Sequence, residues 1–124
     1  MQVRLRWFFL CRRSDGVVWL IKAGEDWLYL YILIKFQNRV ESFMAMRMLV
    51  YIGLLYQDLI RRKEVKPGRP LPLVLPIVLY NGCKTWTVPT DLAALLTKVP
   101  GLVVDYLPQI RYLLIIEKNW GEFR

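Results

Sequence analysis

Histidine is absent from this 124-residue chain, which narrows the chemistry open to it. Without an imidazole the chain lacks the usual general base near neutral pH, the serine-histidine mode of hydrolysis and histidine-ligated zinc. Hydrolysis would have to come from carboxylates, lysines and a bound metal. The residues best spaced for that are Asp15, Lys35 and Gln37. Side chains alternate along a strand, so Lys35 and Gln37 share one face with Tyr31 and Leu33, while Leu30, Ile32, Ile34 and Phe36 share the other. Asp15 reaches this place if Val17 to Lys22 and Trp27 to Phe36 pair as a hairpin. With Lys22 opposite Trp27, Ser14 and Asp15 lie beside Ile34 and Lys35, and a bulge at Gly16 would turn Asp15 toward Lys35 and Gln37. A carboxylate and the Gln37 amide oxygen are hard donors of the kind Mg²⁺ takes, although one carboxylate makes a poor site. The same residues also have a structural reading, in which Asp15 caps the strand entrance, Lys35 snorkels and Gln37 begins a turn.

The elements that must position these residues are legible from pattern. Trp27 to Phe36 is apolar on both faces, which predicts a central strand covered on both sides. Phe43 to Arg62 uses strong helix formers, with Arg47, Asp58, Arg61 and Arg62 near one side and a wide apolar surface from Phe43, Met44, Met46, Leu49, Val50, Ile52, Leu55, Tyr56 and Leu59. Leu71 to Tyr80 is a further apolar strand limited by Pro70, Pro72 and Pro76, and Asn81-Gly82 signals a turn after it. Thr90 is placed to cap a short helix over Asp91 to Thr97, and Arg111 to Ile116 reads as a last strand. The expected order is β-β-α-β-α-β in one domain over residues 1–124, a mixed sheet with flanking helices.

Hydrophobic residues make up 56% of the chain, above the ~45–50% usual for soluble domains. No segment is long and uncharged enough to predict a membrane span, since Arg47, Gln57 and Asp58 interrupt the richest region. The surplus points to a buried sheet, or to apolar faces left bare where neighbouring parts of the domain are missing. The net charge of +8 favours polyanions, DNA among them. Arg61, Arg62, Lys63, Lys66 and Arg69, gathered around Pro67 and Gly68, are the candidate phosphate contacts, or simply a solvated loop. Cys11 and Cys83 are far apart and form no metal-type pair, which fits reduced thiols in a cytoplasmic protein.

The stretch SDGVVWLIKAGEDWLYLYILIKFQNRVESFMAMRMLVYIGLLYQDLIRR, followed by GRPLPLVLPIVLYNGCKTWTVPTDLAALL and YLPQIRYLLI, resembles the Rpn recombination-promoting nucleases, a family of transposase type. The resemblance covers Ser14 to about Glu117 and rests on the long aromatic strand, Phe36-Gln37, the Met-rich helix, the PIVLYNG strand and the turn beginning Trp86-Thr87. It implies a restriction-endonuclease-like α/β fold of the PD-(D/E)xK type, in which an Asp on one strand and a Glu-x-Gln on the next bind a divalent metal for phosphodiester cleavage. Asp15 matches the family Asp and Gln37 the family Gln, which makes Asp15 and Gln37 the implied Mg²⁺ ligands. Lys35 falls where the family has Glu, and Gly16 is one residue more than the pattern carries. A protonated lysine cannot ligate Mg²⁺ and repels it. The resemblance thus implies a copy shortened at both ends, with an incomplete domain and impaired cleavage. A non-catalytic DNA-binding remnant and a peripheral membrane protein are the competing readings.

Overall fold

The computed structural model describes residues 2–7, 16–23, 28–98 and 101–117. Among the described residues, five strands form one sheet in chain order: β1 (Gln2–Trp7), β2 (Gly16–Ala23), β3 (Leu28–Gln37), β4 (Leu73–Tyr80) and β5 (Leu113–Ile116). The first three run antiparallel to one another, whereas β3, β4 and β5 are parallel. Parallel neighbours need a crossover, and α1 (Met44–Arg61) supplies it between β3 and β4. The result is a mixed α/β fold with its three parallel strands at one side.

Four elements depart from the expected order. Residues 2–7 form an additional strand paired with β2, and the alternation of Gln2, Arg4 and Arg6 with Val3, Leu5 and Trp7 is the period-2 pattern that accounts for it. The helix expected over 91–97 is a 3₁₀ turn, Leu92–Leu95, and its cap is Asp91 instead of Thr90. The Asp91 carboxylate accepts from the Ala93 amide at 3.0 Å, and the backbone turns extended at Leu96 before a second turn of helix can form. A further 3₁₀ turn, Leu102–Tyr106, precedes β5. That last strand begins two residues later than expected, because Arg111 forms an isolated bridge with Asp91.

The hairpin register also differs. Ala23 belongs to the strand and pairs with Leu28, so Lys22 lies opposite Tyr29 and not opposite Trp27. The connection keeps its length of four residues but moves one residue along the chain. Partners therefore shift by two, and each side chain keeps its expected face. Gly16 lies opposite Lys35 as part of a continuous ladder, not as a bulge.

Among the described residues the core cluster lies on one side of the sheet, and Ile77, on the other face by its register with Ile34, is buried as well. Met44, Ala45, Met48, Tyr51, Leu55 and Leu59 form the buried stripe of α1 at helical spacing. They pack over Tyr31 and Leu33 of β3, Val78 and Tyr80 of β4 and Leu114 of β5. Among the residues expected to share that stripe, Phe43, Met46 and Val50 are exposed, because a single covering layer of sheet leaves the helix's far side in water. Likewise β3 is central in the sheet but is not covered on both faces: Leu30, Ile32 and Ile34 are half-buried and Phe36 is 45% exposed.

Candidate functional site

Lys35 sits near the carboxyl end of β3, between Gly16 of β2 and Val78 of β4. It is 6% exposed, and among the described residues it is the buried charged one. Strand alternation forces it to the α1 side, where its Nζ lies 5.1 Å from the centre of the Tyr51 ring. A cation over an aromatic face recovers part of the hydration lost on burial. Sequence reasoning misses Tyr51, which belongs to the buried helix stripe and looks like ordinary core from spacing alone.

Gln37 is half-buried two residues on. Its Nε2 donates to the Arg39 carbonyl at 3.4 Å, and its own carbonyl accepts from the Asn81 amide at 3.0 Å. The side chain therefore does begin the turn after β3, and the amide orientation set by Arg39 leaves its Oε1 as the acceptor end. Asp15, the third member of the expected group, lies outside the described residues.

Just beyond β4 the chain makes a tight aromatic clasp. The Tyr80 hydroxyl donates to the Lys84 carbonyl, and the Tyr80 ring packs edge-on against Trp86 with centroids 4.9 Å apart. Trp86 Nε1 donates to the Tyr112 hydroxyl at 3.2 Å, which in turn donates to the Pro89 carbonyl at 3.1 Å. Burial pushes the Tyr112 hydroxyl above its ordinary pKa. Gly82 lies so close to the Tyr80 ring that a Cβ there would collide with the phenol end. The Asn81-Gly82 signal thus marks a close approach that only glycine permits.

The basic residues occupy the opposite end of the sheet. The crossover returns α1 toward the start of β4, so Arg61, Arg62, Lys63, Lys66 and Arg69 lie by the amino ends of the parallel strands. Leu73 there pairs with Leu30, and the Tyr56 hydroxyl donates to the Pro72 carbonyl at 2.7 Å. Five residues of strand, roughly 16 Å at 3.3 Å per residue, separate Leu30 from Lys35. Lys63 takes the left-handed conformation, φ 60°, as the helix end closes through Glu64 N–H to the Leu59 carbonyl at 3.0 Å. All five cations are exposed, but Arg61 and Arg62 both reach Asp58, at 2.8 and 3.0 Å. Set against Asp58 and Glu64, five cations leave this segment with a net charge of +3.

The described donor set does not fit Mg²⁺. No group of three or more His, Cys, Asp or Glu side chains comes together among the described residues, and a buried cation projects from the strand between Gly16 and Gln37. Hard divalent ions take several oxygen ligands and no ammonium.

Comparison with known proteins bears on the class of this fold. Residues 10–118 match the family model described as "Putative transposase, YhgA-like". The chain belongs to this family. The recombination-promoting nuclease RpnD of Escherichia coli O157:H7 is 35% identical over 71 residues, 57% of this chain and 26% of that protein. The chain thus spans about a quarter of that relative's length. No solved structure matches it. Among the described residues of this family member, no helix is long and apolar enough to cross a membrane.

Proposed function

We propose that this chain is a restriction-endonuclease-like protein of DNA recombination that binds DNA and cleaves it weakly or not at all. Its family and the nuclease it resembles support the class, and the buried Lys35 carries the reading of impairment. In α/β sheets ligands gather at the carboxyl ends of parallel strands, which is where Lys35 and Gln37 stand. In the family pattern that strand position is a glutamate, and a divalent ion held there would activate water for phosphodiester hydrolysis. In this chain the position holds an ammonium packed over Tyr51. Its charge opposes a second cation, its stem fills the space, and Asp15 and Gln37 remain as remnants of the ligand set.

DNA contact then falls to the exposed loop cations Lys63, Lys66 and Arg69, with Arg61 and Arg62 shared with Asp58. Contacts of this kind read phosphates without sequence preference and weaken steeply with salt. The same reading takes the protein as cytoplasmic, with residues 1–124 as a single partial nuclease-like domain.

The test is a plasmid-nicking assay in Mg²⁺ or Mn²⁺. The unmodified chain should nick at background rates. Lys35→Glu should raise metal-dependent nicking about a hundredfold, as expected where a bound metal contributes several kcal/mol to a transition state, and adding Asp15→Ala should remove the gain. Vigorous nicking by the unmodified chain would end the claim of impairment. A folded Lys35→Glu protein with no gain would overturn the site.

A further inference from the structure

A cleft opens on the sheet face away from α1, where the segment before β5 meets β4. Carrying the register of Ile77 with Leu113 back by two residues sets Arg111 level with Leu75, and Asp91 bridges Arg111 from its other side. Leu75, Leu113 and Pro89 give the cleft its apolar wall, and Thr90, Asp91 and Arg111 its polar part. Main-chain bonds fix these walls in place. The Leu92 amide donates to the Ile110 carbonyl at 3.0 Å, and the Tyr112 amide to the Thr90 carbonyl at 3.1 Å. The Tyr112 hydroxyl holds the Pro89 carbonyl from the core side. The volume of about 540 Å³ lies within the ~300–1,000 Å³ of sites that take small organic ligands.

The polar part presents an acceptor and a donor side by side. Asp91 takes the Ala93 amide at 3.0 Å on one oxygen and Arg111 Nη2 at 3.3 Å on the other. A carboxylate has about four acceptor sites and a guanidinium several N–H donors, so both groups keep capacity for a ligand. Both side chains are open to water. The Ala93 amide first and Arg111 second hold the carboxyl below its ordinary pKa, which keeps it an acceptor at neutral pH.

We infer that this cleft holds one unpaired guanine of a DNA strand, which rests on the DNA-binding reading above. The Watson–Crick edge of guanine offers two adjacent donors, N1–H and the N2 amino group, to the free sites of the carboxylate. Its O6 and N7 accept from an arginine. Adenine and cytosine bring one amino group each, and thymine a single ring N–H. In a duplex that edge is already paired, so the base must leave the stack to reach the cleft, where apolar side chains cover its flat faces. The phosphates of such a strand have cations at hand. The loop bearing Lys66 and Arg69 leads into β4, whose first residue, Leu73, stands two residues, roughly 7 Å, before Leu75. A net charge of +8 favours a polyanionic strand over a peptide as the carrier of the ligand.

Fluorescence anisotropy of the full chain tests this with two labelled single strands, an oligothymidylate and the same strand carrying one central guanine. The unmodified chain should bind the guanine strand about tenfold more tightly, the scale of one bidentate base contact. Asp91→Asn, which still accepts from Ala93 but puts an amino group in place of one oxygen, should erase that preference. Arg111→Gln, at an exposed position, should reduce it severalfold, so the outcome does not rest on one variant folding. Replacing Lys63, Lys66 and Arg69 together by Ala should weaken both strands and keep their ratio. Equal affinity for the two strands, or a preference that survives both Asp91→Asn and Arg111→Gln, would overturn the guanine cleft and leave DNA binding standing. Binding of neither strand would overturn both. Free deoxyguanosine monophosphate competing as strongly as the guanine strand would make the ligand a nucleotide and overturn the strand.

Discussion

The two ends of the parallel strands treat positive charge in opposite ways. At the amino end, the helix terminus and the loop after it carry cations that are exposed and partly balanced by Asp58. At the carboxyl end a single ammonium is buried over an aromatic ring. Exposed charges on a flexible stem cost little and are exchangeable with solvent or phosphate, whereas a buried one must be supported by its surroundings. The first arrangement suits transient contact with a polyanion. The second uses charge as part of the packed interior, at the position where the proposed function expects a metal ligand to have been replaced.

Changes at the amino end should alter binding and leave the fold alone. Replacing Lys63, Lys66 and Arg69 together by Ala should lower the slope of log affinity for duplex DNA against log salt by about 3, near 0.9 per lost phosphate contact. An unchanged slope in a titration at several salt concentrations would show that DNA does not meet this loop. The converse holds at the carboxyl end, where Gly82→Ala should destabilise the protein by about 1–3 kcal/mol through overpacking against Tyr80, as read from urea denaturation. Its effect on the salt slope should be nil.

A smaller effect belongs to Asp91, whose carboxyl is held below its ordinary pKa by the Ala93 amide first and the Arg111 guanidinium second. A folded-state pKa below the unfolded one means the contribution is present above the ordinary value of 3.8 and fades as pH falls through the lower folded value. Asp91→Asn, which still accepts from Ala93, should remove that acid-side loss while nearly preserving stability at neutral pH. A variant whose stability declines in acid as steeply as the parent's would contradict the assignment.

Much of this architecture is legible in residue type and spacing. The long apolar strand, the helix after it and the PIVLYNG strand follow from composition and period, and Lys35 and Gln37 share a face by alternation alone. Gln2–Trp7 also carries a strand's period-2 signal, but its basic residues and the apolar run that follows obscure it, and the expected order leaves it out. Other features are not legible because they depend on what packs where. Sequence period cannot say that β3 is covered on one face only, so Phe43, Met46 and Val50 look like core. Nor can it show that Tyr51, one aromatic in an apolar stripe, is the residue beneath the Lys35 ammonium. The hairpin register turns on whether Ala23 joins the strand or the connection, a choice that its small side chain does not decide. For the basic loop, the cluster is plain in the chain but its separation from Lys35 is not, since that comes from the antiparallel return of α1.

The claim that Lys35 has displaced a metal site is tested most directly by calorimetric titration of Mg²⁺ or Mn²⁺ into the unmodified chain and into Lys35→Glu, with no DNA present. The predicted result is no binding heat for the unmodified chain, and saturable binding once the ammonium is a carboxylate. Saturable binding of a divalent ion by the unmodified chain, unchanged by Lys35→Glu, would contradict it.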